Sequence, residues 1–291
     1  MNSTLVFFSS LACVVAYRFF PTTTTASAAR ASTMYASSSS SFATSQTPRS
    51  PKAQTCYAAS RNKGPILGIL GRILEGRRST NVLEIASGTG EHAAYFCSNL
   101  ENLVYQTSAL DCEAEASWRD AYSKKTSMDR PESKEAYYDM DLSIKGWAAD
   151  HFDEITAKGS EMLPNIQIDV ETFQKDMLPA RMKAGEVDLM ICVNMIHISG
   201  WKCTDALFKT ADDCLKEDGM LYTYGPYSEN GQMTDSNREF DESLKQRNPD
   251  WGVRDVEDVK LVAEKYHFYL DEKVPMPANN LSLIFRRKHD D

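Results

Sequence analysis

No aspartate or glutamate occurs before Glu75, although the 291-residue chain carries 41 acidic residues. That first stretch holds Arg18, Arg30, Arg49, Lys52, Arg61, Lys63 and Arg72 among runs of Ser, Thr and Ala. An acid-free tract rich in Arg and Ser has the composition of a targeting leader, not of a packed core. Long apolar runs are missing too. Leu5 to Phe20 is mostly apolar but short and interrupted by Arg18, whereas a membrane-spanning helix needs about 20 apolar residues. An apolar start followed by a basic, hydroxyl-rich tract has the two-part layout of leaders that direct proteins into plastids bounded by extra membranes. Residues 1–58 are therefore expected to be a disordered leader, with a plastid favoured and a mitochondrion as the alternative. The competing reading is a disordered tail or a misassigned start codon.

The seven cysteines, Cys13, Cys56, Cys97, Cys112, Cys192, Cys203 and Cys214, contain no CxxC pair and have no His neighbour at zinc spacing. They are expected to be reduced thiols, several of them buried. His92, His151, His197, His267 and His289 are scattered, and no metal site is expected. Every acidic residue lies after the leader, so the remaining domain is acidic, which opposes a nonspecific grip on nucleic acid. Without the leader about 230 residues remain, enough for one α/β domain, 59–291, with no stable membrane insertion expected.

What is present is concentrated in Asn81–His92, NVLEIASGTGEH. Val82, Leu83 and Ile85 read as a short buried strand with Glu84 near its end. Ser87-Gly88-Thr89-Gly90 follows as a tight loop, and His92 to Leu100 as a helix. This strand–turn–helix unit can receive a nucleotide-like ligand, because glycines let the main chain approach closely. The usual first glycine of such a turn is replaced by Ala86. There is no GK[ST] ending to point to ATP. Glu84 would repel a pyrophosphate but could receive a ribose hydroxyl or a cationic amino group. S-adenosylmethionine offers both and carries no phosphate.

Further along, Gly64–Leu74 has helical spacing, and Leu103–Thr107 reads as a second strand. Asn165–Val170 reads as a third strand, Val187–Asn194 as a fourth and Met220–Gly225 as a fifth. Thr204–Leu215 is predicted helical, stopped by Lys216-Glu217-Asp218-Gly219 with Gly at the end. Val256–Lys265 is predicted helical. Phe268–Val274 and Leu281–Arg286 then follow as two strands with no helix between them, so they should pair antiparallel. Alternating βα units closed by an antiparallel hairpin form the plan of class I methyltransferases, whereas an NAD-binding domain would more often add another parallel unit.

The segments RNKGPIL (61–67), LEIASGTGEHAAYF (83–96), CVNMIHIS (192–199), YGPY (224–227), SNREFDESL (236–244), WGVRD (251–255) and MPANNLSLIF (276–285) resemble the methyltransferase-like 26 family. That is a group of class I, S-adenosylmethionine-dependent methyltransferase-like proteins without an established substrate. The resemblance, from about Arg61 to Arg287, implies an α/β Rossmann-like sandwich whose seven-stranded, mostly parallel sheet is closed by the antiparallel C-terminal hairpin. Three departures stand out. Where the family shows Trp-Gln-Pro-Ser-Asp, this chain has Tyr105-Gln106-Thr107-Ser108-Ala109, so the carboxylate that would hold the ribose is absent and Asp111 is the nearest substitute. Residues from about 118 to 162 read as a polar insertion. Gly200 replaces a usual Pro before Trp201.

Ligands of such sheets lie beyond the carboxyl ends of the parallel strands. The cofactor, S-adenosylmethionine, is thus expected against Glu84, Ser87, Gly88, Gly90, Asp111 and Asp169. Asp169 has two readings, a partner for the adenine amino group or a cap for the turn at Glu171. Asn194 and His197 are the candidate catalytic pair, Asn194 orienting the acceptor and His197 taking a proton. The alternative makes His197 a structural hydrogen-bonding group. Tyr224, Tyr227, Ser236, Asn237 and Arg254 follow the fifth strand, where lids and substrate pockets are common. Asn279 and Asn280 either face that pocket or serve the hairpin turn. Trp201 and Trp251 are expected to anchor loops. The expected activity is methyl transfer to a small-molecule acceptor. The competing class is a noncatalytic binding module whose hold on the cofactor has weakened.

Overall fold

The computed structural model describes residues 52–110 and 140–288. The leader up to residue 51, and Asp111, lie outside the described residues. The rest is built from α1 (Tyr57–Ile73), β1 (Thr80–Ile85), α2 (Glu91–Asn99), β2 (Leu103–Ala109), α3 (Met140–Asp150) and α4 (Phe152–Ala157), then β3 (Glu161–Gln167) and β4 (Val187–Val193). There follow α5 (Trp201–Cys214), β5 (Leu215–Ser228), α6 (Asp235–Arg247), β6 (Arg254–Asp255), α7 (Val256–Lys265), β7 (Phe268–Met276) and β8 (Asn280–Arg287). The sheet runs β3-β2-β1-β4-β5-β8-β7, with the short β6 pairing on β5. The first five strands of that order are parallel. β8 runs antiparallel to both β5 and β7. The hairpin therefore folds back and inserts its second strand beside β5, leaving β7 at the edge.

This order explains the sequence pattern. β1, β4 and β5 are flanked by strands on both sides and covered on both faces, so Val82, Leu83, Leu189, Met190, Ile191, Leu221 and Tyr222 are all buried and read as apolar runs without alternation. Under α1 and α2 the core joins Ile66, Leu70, Val82, Ala93, Phe96, Tyr105, Ile191 and Tyr222. The opposite layer carries α5, where Phe208 packs edge-on against Phe268 and Phe285. Full burial of side chains of this size is worth about 1.5–3 kcal/mol each.

Three expectations need correction. The third strand begins at Glu161, not Asn165, and includes Pro164. β3 is an edge strand, and there the missing N–H of proline is tolerated. Lys216–Gly219 is not a helix stop but part of β5: Val187 pairs with Leu215 and Leu189 with Met220, so the extra residues bulge outward. Gly219 suits this bulge because a Cβ there would lie 3.0 Å from the Lys216 carbonyl oxygen, a tight contact. Of the expected polar insertion, residues 118–139 lie outside the described residues, and the part from Met140 supplies α3 and α4, with Ile144 and Ile155 buried. Finally, Cys97, Cys192, Cys203 and Cys214 are free and buried, but Cys56 is disulfide-bonded and so departs from the reduced state expected of it.

The folded domain also begins earlier than residue 59. The Gln54 N–H donates to Ser143 Oγ at 3.0 Å, and Trp147 Nε1 donates to the Gln54 carbonyl at 2.8 Å. Among the described residues no helix is long and apolar enough to cross a membrane.

Candidate functional site

The turn after β1 is a locked, left-handed corner. Ala86 has φ 59, Gly88 φ 56 and Gly90 φ 83. Ser87 ties the corner to β2: its N–H donates to the Ser108 carbonyl at 2.8 Å and its Oγ accepts the Ser108 N–H at 3.0 Å. The Ser87 hydroxyl is thus used inside the turn. Gly88 faces open space, whereas a Cβ on Gly90 would meet Ile144 of α3 at 2.7 Å. Of the two glycines, Gly88 leaves room for a ligand and Gly90 leaves room for α3. Ser143 of α3 also donates to the Thr89 carbonyl at 2.9 Å, so α3 braces the loop.

Glu84 lies at the foot of this corner, 1% exposed, and its Oε2 has no hydrogen-bond partner. Thr107, its register partner on β2, has an unpartnered buried hydroxyl as well. Burial raises the Glu84 carboxyl to about 7, partly offset by the Ser87 and Tyr105 hydroxyls. A buried carboxylate oxygen without a donor is costly unless a water or a ligand completes it. An ammonium group placed there would satisfy it and hold it ionised. At the end of β2, Ala109 is buried and offers no polar atom. Asp169 accepts the Glu171 N–H at 3.0 Å through Oδ1, so the turn-capping role is filled.

Helices α1 and α2 meet over this corner through polar pairs. Glu91 is buried and accepts the Cys56 N–H at 2.9 Å, the Ser60 hydroxyl at 2.6 Å and Lys63 Nζ at 2.9 Å. It therefore caps α1 from outside the helix. Burial pushes its carboxyl upward, but these Ser60, Lys63 and Cys56 hydrogen bonds outweigh it and hold the group below its ordinary value. One residue on, His92 Nε2 lies 2.7 Å from Asn62 Oδ1. Burial lowers His92 to about 4, with Glu91 opposing and Lys63 reinforcing the shift. Burial raises the Tyr224 hydroxyl above its ordinary value, with the charge of Arg61 and the side chains of Asn62 and Asn280 opposing the shift. Asn62, His92 and Tyr224 are each more than nine-tenths buried. The motifs at 61–67 and 83–96 are thus two halves of one junction.

Beyond β4, Asn194 takes φ 63, a conformation that Asn tolerates better than most residues. Its N–H donates to the Tyr224 carbonyl at 2.8 Å. The His197 ring packs edge-on to Phe240 and against Gly225, where a Cβ would lie 3.1 Å from its Nδ1. Burial, then the charges of Arg254 and Arg247, lower His197 to about 3. It is neutral at pH 7 and a weak proton acceptor, which favours the structural reading.

The remaining candidates are held by the protein itself. Arg254 donates to the carbonyls of Ser199 and Asp250 at 2.7 and 2.6 Å and lies over the Trp201 ring, so it clamps the loop before α5. The Tyr227 hydroxyl bonds Thr223 Oγ1 at 3.0 Å within the core. Asn237 Nδ2 donates to the Asn279 carbonyl at 2.9 Å, and Asn279 Nδ2 to Ser236 Oγ at 2.8 Å. Ala278 and Asn279 have φ 60 and 57, so the hairpin uses its Asn for turn geometry. Asn280 Nδ2 donates to the Pro277 carbonyl at 3.0 Å. Trp251 is buried beside Ile198 and Leu244.

One rim thus brings together Glu84, Gly88, Asn194, Tyr224 and Asn280. Sequence reasoning missed Asn62 and His92, whose pairing spans 30 residues. The available signal was that both lie in segments shared with one family.

The chain belongs to the family described as Protein of unknown function (DUF938), which matches residues 53–132 and 139–287. Among solved structures it is similar to the mitomycin 7-O-methyltransferase MmcR, with TM-score 0.55 and 12% identity over 79% of this chain and 54% of that one. It is also similar to CalO1, a methyltransferase in calicheamicin biosynthesis in its SAH-bound form, with TM-score 0.50 and 11% identity over 79% of this chain and 55% of that one. A third is the PH0226 protein from Pyrococcus horikoshii OT3, with TM-score 0.50 and 14% identity over 81% of this chain and 93% of that one. The chain spans just over half the length of the first two. At these identities the likeness establishes a Rossmann-like methyltransferase fold.

Proposed function

We propose that this member of the DUF938 family is an S-adenosylmethionine-dependent methyltransferase acting on a small molecule, as its resemblance to the methyltransferase-like 26 group implies. The observation that carries the reading is the pairing of a buried, unpartnered Glu84 oxygen with open space at Gly88, at the carboxyl end of β1. When bound, the cofactor supplies an electrophilic methyl group on a sulfonium. Glu84 would hold its ammonium, and the Gly88 main chain would leave room for its amino-acid end. Asn194, fixed in its left-handed conformation, would orient the acceptor. In-line displacement at a methyl carbon draws much of its rate from positioning, so a strong base is not required. That agrees with the buried, neutral state of His197.

Ala109 supports a second reading, a binding module with a weakened hold on the ribose. Incubation of the full chain with methyl-labelled S-adenosylmethionine and a small-metabolite extract separates the two. Label transferred to a metabolite supports the enzyme. Bound cofactor with no transfer from any extract favours the module. We also propose that residues 1–58 deliver the chain to a plastid. A reporter carrying them should enter that organelle, and a diffuse cytosolic signal would reject the leader.

A further inference from the structure

We propose that residues 52–56 are a strap that holds the glycine turn in its ligand-ready shape, and that Ser143 is the positioning residue that couples strap to turn. One hydroxyl makes the link. Ser143 Oγ accepts the Gln54 N–H at 3.0 Å and donates its own proton to the Thr89 carbonyl at 2.9 Å. A serine hydroxyl has a single proton to give, so the strap bond and the turn bond share one fully buried oxygen. The Thr89 carbonyl and the Gly90 N–H belong to the same planar peptide. The N–H side of that plane donates to the Ser87 carbonyl at 3.1 Å. Ser143 and Ser87 thus clamp one peptide from opposite sides, beside the open face of Gly88.

The strap is seated at further points along its length. Trp147 Nε1 donates to the Gln54 carbonyl at 2.8 Å. The Cys56 N–H donates to Glu91 Oε2 at 2.9 Å, so the strap ends against the first residue of α2. Lys63 bonds the same carboxylate and lies 5.9 Å from the centre of the Trp147 ring, tying α1 to both α2 and α3. Gly146 shows how closely the strap lies on α3. A Cβ there would fall well inside van der Waals contact of the Ala53 nitrogen and the Lys52 carbonyl carbon, backbone atoms that only a displaced strap could clear. Glycine weakens a helix interior, and α3 carries this one where the strap crosses it.

Strap docking and ligand binding at Gly88 draw on the same turn geometry, so each favours the other. On the methyltransferase reading that ligand is the cofactor, whereas the coupling of strap to turn stands on the hydrogen bonds alone. Residues 52–56 fall inside the expected leader, so a cut after residue 58 would take the brace away with it.

The test follows amide hydrogen exchange by NMR on the full chain. Gly146→Ala, which favours the helix but displaces the strap, should speed exchange at the Gln54 and Gly90 amides by about fivefold. Ser143→Ala should do the same, and amides of β4 should keep their wild-type rates, showing that both variants are folded. Trp147→Phe removes only the Nε1 donor and should speed Gln54 and Gly90 in the same direction, which keeps the test open if either other variant unfolds. Calorimetry should show S-adenosylhomocysteine bound about fivefold more weakly by Gly146→Ala and Ser143→Ala. Unchanged Gly90 exchange in a folded Gly146→Ala, or wild-type S-adenosylhomocysteine affinity in both variants, would overturn the proposal. If the wild-type chain does not bind S-adenosylhomocysteine while Gly90 exchange still responds to the strap, the methyltransferase reading falls and the strap stands.

Discussion

Glu91→Ala tests the junction that organises this rim. The wild-type carboxylate accepts the Cys56 N–H, the Ser60 hydroxyl and Lys63 Nζ while 1% exposed. Losing a helix cap costs about 1 kcal/mol, and losing hydrogen bonds to a charged group adds about 1.5–3 kcal/mol. The total is roughly 3 kcal/mol, which for a domain of this size corresponds to a melting point lower by roughly 6–12 °C. Glu91→Gln keeps the shape and an acceptor oxygen, and should lose less than half of that. The pH dependence has a definite sign. The folded carboxyl is held below its ordinary 4.5. Its contribution is complete above that value and is lost as pH falls through the lower folded value. Thermal melts followed by circular dichroism from pH 3 to pH 8 should therefore show the wild-type advantage over Glu91→Ala shrinking toward the acid end. A variant that melts within about 2 °C of wild type at pH 7, or an advantage that grows on acidification, would refute the reasoning.

Three other substitutions probe separate parts of the account. Ala86 sits at φ 59, a left-handed conformation that costs a side-chain-bearing residue about 1–2 kcal/mol. Ala86→Gly should thus raise stability by about 0.5–1 kcal/mol in urea titration, net of the added unfolded-state entropy. Gly200 has φ −65 and ψ 153 before α5, the geometry proline prefers, so Gly200→Pro should add about 0.4–1 kcal/mol by the same assay. Glu84 is raised from 4.5 to about 7, so stability tied to its protonated form is complete below pH 4.5 and lost as pH rises through 7. Glu84→Gln should be more stable than wild type at pH 8 by roughly 3 kcal/mol. The gap should close toward pH 5, and an unchanging gap would contradict the buried-carboxyl assignment.

The first βα unit and the closing hairpin were legible because each rests on local pattern. Val82, Leu83 and Ile85 are apolar on both faces of a central strand, and Phe268–Val274 and Leu281–Arg286 have no room for a crossover between them. β3 was misplaced because Pro164 reads as a breaker unless the strand is known to be at an edge. Lys216–Gly219 imitated a helix stop, since a strand bulge and a helix end draw on the same polar residues and glycine. The site was less legible than the fold. Sequence cannot tell a polar side chain that faces a ligand from one that secures a loop, and the hydrogen bonds of Arg254, Asn237 and Asn279 that secure loops span distant segments. Asn62 and His92 gave no local sign beyond lying in family-like segments, because only tertiary packing brings them to 2.7 Å.

The central claim is that the corner formed by Glu84 and Gly88 holds S-adenosylmethionine. Titration calorimetry of the full chain with S-adenosylhomocysteine, beside Gly88→Val, tests it most directly. The account predicts saturable one-to-one binding by the wild-type chain. It also predicts loss of that binding in Gly88→Val, whose side chain enters the open space beside the turn while circular dichroism still reports a folded domain. No heat from the wild-type chain, or equal affinity in a folded Gly88→Val, would contradict it.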